Sequence, residues 1–201
     1  MSRPVLTKTL AAPRLNLKEA LRYMGAGVSS EDASRLLDEC YREVGGGLIY
    51  KACYTEREIF IDGEDIELGF ARLRSEALSR YLKGCFGIVL FVATVGLEID
   101  RRVGRYSSLS PTRAFAYDAL GSERVESLCD ALCEELASEY GSRGVGLKNR
   151  FSPGYADFPL EVQRAVFSTL EPTAKIGVTL NDSLLMIPTK SVSAIIGLYK
   201  L

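Results

Sequence analysis

"CFGIVLFVATVG", Cys85 to Gly96, is the longest apolar run in the chain. Twelve residues are too few to span a bilayer, for which a helix needs about 20. The run therefore reads as a strand buried in a core, and the rest of the sequence is organised around it.

Upstream, "ARLRSEALSRYLKGC" (71 to 85) reads as a helix closed by Gly84. Before it, "LIYKACYTE" and "REIFIDGEDIEL" alternate and contain Asp62-Gly63, which predicts strands joined by a hairpin-like turn. Asn16 is placed to cap a helix through "LKEALRYM" that Gly25 ends. "SSEDASRLLDECYREVGGG" follows, with Ser29 and Asp32 in capping-box spacing and an apolar stripe of Ala33, Leu36, Leu37, Cys40 and Tyr41.

Downstream, "LEIDRRVGRYSS" reads as a helix, with Pro111 as a break. A long helix is expected from Thr112 to Tyr140, its core stripe being Val125, Leu128, Cys129, Leu132 and Leu136. Ser122 and Glu126 fall on the flank of that stripe. "PLEVQRAVFSTL" is a further helix with Pro159 in its first turn. Residues 175 to 200 read as two or three strands turning at Asn181-Asp182 and Pro188-Thr189. Helices and strands do not alternate strictly, so the class is α+β, with a mixed, mostly antiparallel sheet and flanking helices. Residues 1–84 are expected to pack on a core formed by 85–201, the whole being one compact domain.

With 201 residues, 47% hydrophobic and 25% charged, the composition is that of a soluble globular protein. A net charge of −1 gives no footprint for nucleic acid or an anionic membrane. The N-terminus lacks the apolar core of a signal peptide, so a cytoplasmic location is expected. Histidine is absent, which excludes Ser-His-Asp and Cys-His machinery, histidine metal sites and an imidazole ligand to a haem or cobalamin. The five cysteines include no CxxC pair. Cys129 and Cys133 lie one helical turn apart and read as core thiols; no metal site is expected.

Two glycine-bearing junctions suggest ligands and fail on context. "GSRGVG" (141 to 146) follows a helix rather than a strand, so it reads as a helix cap and exit instead of a phosphate loop. "FVATVGLE" offers a helix N-terminus that could hold an anion, but Thr94 reads as a plain cap. "NRFSPGYADFP" (149 to 159), placed between two helices, differs. Pro153 extends Ser152 and Gly154 permits a tight reversal, giving Arg150 and Tyr155 a stiff frame. Arg150 offers a fork for a carboxylate and Tyr155 a ring face and hydroxyl; by itself the stretch is either an ordinary turn or a binding loop.

"RFSPGY" (150 to 155) resembles the RxxPGY motif of the S-adenosylmethionine-binding activation domain of cobalamin-dependent methionine synthase. The similarity continues in order. "FVATVGLEIDRRV" resembles that family's strand, Val-Thr-Gly-Gly turn and helix, and "DALGSERVESLCDALCEELASE" its long helix. "FPLEVQRAVFSTL" resembles the next helix, and "IGVTLNDSLLMIPTKSVSAIIG" the closing strands with their P-x-x-SVSG signature, with Ala194 in place of the last glycine.

The resemblance covers about Phe86 to Gly197 and implies a short, stand-alone activation domain. The sequence given stops at Leu201, where the family's domain continues to a tyrosine pair that contributes to cofactor binding. It further implies that Arg150 binds the carboxylate of S-adenosylmethionine. Ser152, Pro153 and Gly154 would shape the loop and present backbone groups, Tyr155 would wall the pocket, and Glu126 would hold the ammonium. The implied role is reductive methylation, by which a methionine synthase on a separate chain is reactivated. That partner would carry the cobalamin, and a flavodoxin-like donor would supply the electron. The family's Asp-x-His-x-x-Gly cobalamin motif needs a histidine that this chain lacks. A non-catalytic docking module for a corrinoid protein, or an activator of a different corrinoid methyltransferase, are the alternatives.

Overall fold

The computed structural model describes residues 3–25 and 31–201. The first half holds β1 (Leu6–Thr9), α1 (Leu17–Tyr23), α2 (Glu31–Val44), β2 (Lys51–Glu58), β3 (Phe60–Asp62), β4 (Asp65–Glu67), β5 (Arg72–Arg74) and α3 (Glu76–Leu82). The second holds β6 (Gly87–Thr94), α4 (Glu98–Tyr106), α5 (Pro111–Gly141), β7 (Val145–Phe151), α6 (Val162–Leu170), α7 (Pro172–Ile176), β8 (Thr179–Leu180), β9 (Met186–Ile187) and β10 (Ser191–Lys200).

The apolar run is β6, the middle strand of a five-stranded sheet ordered β1-β2-β6-β10-β7 in which every pairing is antiparallel. Its continuous hydrophobicity follows from burial on both faces. Val89, Phe91 and Ala93 face one core with α1, α2 and α5, while Ile88, Leu90 and Val92 face a second with α3, α6 and α7. The small sheet β3-β4-β5 closes over the second core through Ile66, packed with the partly buried Ile61 and Leu73. The fold is therefore α+β, with an antiparallel sheet between two helical layers.

Long helix α5 lies on the first face, and its expected stripe is buried. One residue pair on it was not anticipated. Arg124 and Glu123 are buried side by side, with side-chain exposures of 0% and 1%. Arg124 donates to the carbonyls of Pro13 (2.7 Å) and Arg14 (2.9 Å), and Glu123 accepts from the Asn16 N–H (2.9 Å). The pair thus pins the chain between β1 and α1 to α5. Asn16 also caps α1, its side chain accepting from the Glu19 N–H.

Several expectations need correction. Residues 72–74 form β5 instead of extending the helix, because Leu73 pairs opposite Ile66; Ser75 then caps α3, its hydroxyl accepting from the Leu78 N–H. Pro111 does stand at the break between α4 and α5, but as the first residue of α5, where its missing N–H costs nothing; α5 thus starts one residue earlier than expected. Helix α6 begins at Val162, so Pro159 lies ahead of its first turn. Thr94 does not cap α4; its hydroxyl accepts from the Gly96 N–H (3.1 Å) and from Ser191 (2.9 Å). Strand β7 occupies residues expected to be helix exit and loop. Ser29 of the expected capping box lies outside the described residues. Among the described residues no helix is long and apolar enough to cross a membrane.

Candidate functional site

Arg150 owes its direction to β7, the sheet's edge strand. Arg150 stands opposite Ile196 of β10, and Leu147 stands opposite Leu198. Two residues of β7, Lys148 and Asn149, therefore face the single Gly197, which is a β-bulge. Without it Leu147 and Arg150, three residues apart, would point to opposite faces. With it both point to the face of Ile196 and Leu198, where α5 packs. Phe151, opposite Ile195, turns the other way into the second core.

The bulge is closed by one side chain. The Tyr81 hydroxyl donates to the Asn149 carbonyl (2.6 Å) and accepts from the Gly197 N–H (2.8 Å). Its ring stacks on Phe151 with centroids 4.8 Å apart. Burial pushes the Tyr81 phenol well above its usual range, so it stays protonated and keeps donating. Lys148 is committed elsewhere: its ammonium donates to the carbonyls of Tyr81 (2.5 Å) and Lys83 (2.9 Å) at the end of α3.

On α5, Glu126 and Asp130 lie one turn apart and meet the Arg150 guanidinium. Nη2 lies 2.7 Å from Asp130 Oδ1, a hydrogen bond, and 3.0 Å from Glu126 Oε2. The side chains differ in access: Arg150 is 21% exposed, Glu126 41% and Asp130 66%. These three residues, with Cys133, Asn149 and Ser152, line an open cleft of about 490 Å³ that Lys148 and Val192 complete. Burial pushes the Cys133 thiol up to about 11, against the opposing charge of Arg150. Cys129, fully buried beneath, is raised to about 12 by burial. No group of three or more His, Cys, Asp or Glu residues suited to a metal occurs among the described residues.

Past Ser152 the chain makes a type II turn. Pro153 holds the first central position and Gly154, at φ +88°, the second, and the Tyr155 N–H donates to the Ser152 carbonyl (3.2 Å). A side chain at Gly154 would be strained there and would crowd Leu160. Asp157 ties the loop to α3, accepting from the Ser75 hydroxyl (2.5 Å) and the Glu76 N–H (2.7 Å). These contacts, the Ser75 hydroxyl foremost, hold the Asp157 carboxyl below its usual range.

Of the residues singled out in the sequence, Arg150, Ser152 and Glu126 share the cleft. Pro153 is buried behind the turn, Gly154 supplies the reversal, and neither lines the cleft. Tyr155 is 67% exposed and packs edge-on against Phe151, centroids 5.4 Å apart, instead of walling the cleft. Asp130 and Cys133 were missed as cleft residues, although helical spacing from Glu126 and Cys129 carried the signal for both. Tyr199 lies over Gly146 on the neighbouring strand, a glycine with no room for a side chain beneath that ring.

Comparison with known proteins agrees with this architecture. A solved structure of the MetH reactivation domain bound to AdoHcy shares the fold at a TM-score of 0.73 with 17% sequence identity. The match covers 97% of this chain and 78% of that one. No curated protein matches the sequence. Residues 87–199 match the family model described as vitamin B12 dependent methionine synthase, activation domain. That span runs from the first residue of β6 to the penultimate residue of β10 and includes the whole cleft, so the chain belongs to the family of B12-dependent methionine synthase activation domains.

Proposed function

We propose that the cleft binds S-adenosylmethionine and that the protein presents it for reductive methylation of the cobalamin of a methionine synthase on another chain. The observation that carries this reading is Arg150, aimed by the bulge into an open cleft between two carboxylates. An arginine fork beside acids is the donor set that fits an α-amino acid, whose carboxylate and ammonium lie close together. The cleft volume falls in the range of small-molecule sites, roughly 300–1,000 Å³. AdoHcy, the demethylated form of the same compound, is bound by the fold relative.

When bound, S-adenosylmethionine supplies a methyl group on a sulfonium, with a neutral thioether as leaving group. Such a transfer needs no protein base, which suits a chain without histidine. The residues here orient and select. Arg150 holds the carboxylate end, Glu126 balances the ammonium, and Ser152 with the turn at Pro153 and Gly154 limits where the rest of the ligand lies. The Cys133 thiol, raised to about 11, stays protonated at neutral pH and so does not compete for the methyl group. The described residues ahead of β6 (3–25 and 31–84) serve as scaffold within one unit: β2 pairs with β6, and Ser75 anchors the loop through Asp157.

A docking role without cofactor is the second reading, favoured by Tyr155, which stands in solvent. The two separate in one titration. Cofactor binding predicts measurable heat with AdoHcy, lost in Arg150→Ala, and methylcobalamin formation when labelled S-adenosylmethionine, reductant and a cob(II)-inactivated partner are mixed. No heat at millimolar AdoHcy, with partner binding indifferent to Arg150→Ala, would favour docking.

A further inference from the structure

We propose that Asp130 sets the ligand specificity of the cleft: in the free protein its carboxylate occupies Arg150, and only a ligand bringing both a carboxylate and an adjacent cation displaces it. The inference rests on the cleft being the cofactor site and adds the selection rule. Both acids converge on Nη2 of Arg150, and neither closes the guanidinium fork bidentately. Asp130 alone makes an aligned hydrogen bond, at 2.7 Å, so it stands where one oxygen of a ligand carboxylate would stand.

The three side chains are unequal in their freedom to move. Arg150 is held by the strand, the bulge and the Tyr81 bridge beneath it. Asp130 is 66% exposed, so it can leave for water at little cost; ion pairs this open contribute about 0.2–1 kcal/mol. Glu126, less exposed and one turn back on the same helix face, remains. A ligand carboxylate arriving alone would set a third negative charge beside one guanidinium. A ligand with an α-ammonium brings the balancing cation, which Glu126 accepts while Asp130 withdraws into water. The feature selected is therefore the α-amino acid zwitterion, with simple carboxylates turned away.

The test is calorimetric titration of AdoHcy and of 5′-methylthioadenosine, which lacks the amino-acid part, into wild-type protein, Asp130→Asn, Glu126→Gln and Arg150→Ala, each first shown to melt as a folded protein. Asp130→Asn is expected to bind AdoHcy roughly two- to fivefold more tightly, from the loss of an exposed competing pair. Glu126→Gln is expected to weaken AdoHcy, and 5′-methylthioadenosine to bind wild type and Asp130→Asn alike. If Arg150→Ala destroys AdoHcy binding while Asp130→Asn leaves it unchanged or weaker, the selection rule falls and the site stands. An equal gain for both ligands in Asp130→Asn also overturns the rule. If Arg150→Ala binds AdoHcy as wild type does, or neither wild type nor Asp130→Asn binds it, the site reading falls and takes the rule with it.

Discussion

Helix α5 takes part in two arginine–carboxylate clusters about one turn apart, one with its own Arg124 and one with Arg150 of β7, and they differ in their access to water. Glu123 and Arg124 are sealed from water, and Arg124 spends its donors on Glu123 and two backbone carbonyls. Glu126 and Asp130 meet Arg150 across an open cleft, with Asp130 mostly in solvent. A buried pair whose partners are all satisfied locks one arrangement, because breaking it strands a charge in low dielectric. An open pair is worth little to stability and can exchange a protein carboxylate for a ligand's. The same residue types thus hold the chain at one level of the helix and, under the proposed function, would receive a ligand at the next.

The contrast is tested first where the effect should be greatest. Glu123→Ala leaves Arg124 buried without its carboxylate, and should cost about 3–5 kcal/mol in chemical denaturation. Arg150→Ala should behave in the reverse sense. Its stability should change by less than about 1 kcal/mol, while AdoHcy binding weakens by about 1.5–3 kcal/mol, read by calorimetry. Equal stability losses in the two variants would erase the distinction.

Tyr81→Phe probes what aims Arg150. Removing the hydroxyl leaves the Asn149 carbonyl and the Gly197 N–H without their shared partner, at a cost of about 1–2 kcal/mol. Amide exchange at Gly197 should quicken, and AdoHcy should bind more weakly although Tyr81 does not line the cleft. Unchanged affinity would mean that the bulge is held without it. The smallest effect concerns Asp157, whose pKa is depressed below the ordinary 3.8 by Ser75 and the start of α3. A depressed carboxyl adds stability that is present above its unfolded pKa and lost as pH falls through the folded one. Wild type should therefore lose slightly more stability than Asp157→Asn as pH drops below about 4, followed by circular dichroism.

The sequence was most readable where one physical demand set the pattern. Strand β6 announces itself because both faces are dry, and α5 because Val125, Leu128, Cys129, Leu132 and Leu136 repeat at helical spacing over a core. Type II turn chemistry was visible in Pro153-Gly154. Strand β7 was hidden because Gly146 has no side chain and the Lys148-Asn149 bulge shifts the alternation midway, so "VGLKNRF" shows no period of two. Strand β5 was hidden because "RLR" runs into a real helix and pairs over three residues only. The resemblance named Arg150 and Glu126; helical spacing puts Asp130 on the same face as Glu126, but its pairing with Arg150 depends on β7 lying across α5. Tyr155 shows the converse: a motif residue that stands outside the cleft.

The most direct test is a crystal structure of the protein with AdoHcy. The ligand carboxylate should lie about 2.7–3.0 Å from the Arg150 guanidinium, with Asp130 withdrawn and Glu126 near the ammonium. A ligand seated elsewhere, or an Arg150 still holding Asp130 with AdoHcy bound, would contradict the assignment of Arg150 as the carboxylate anchor.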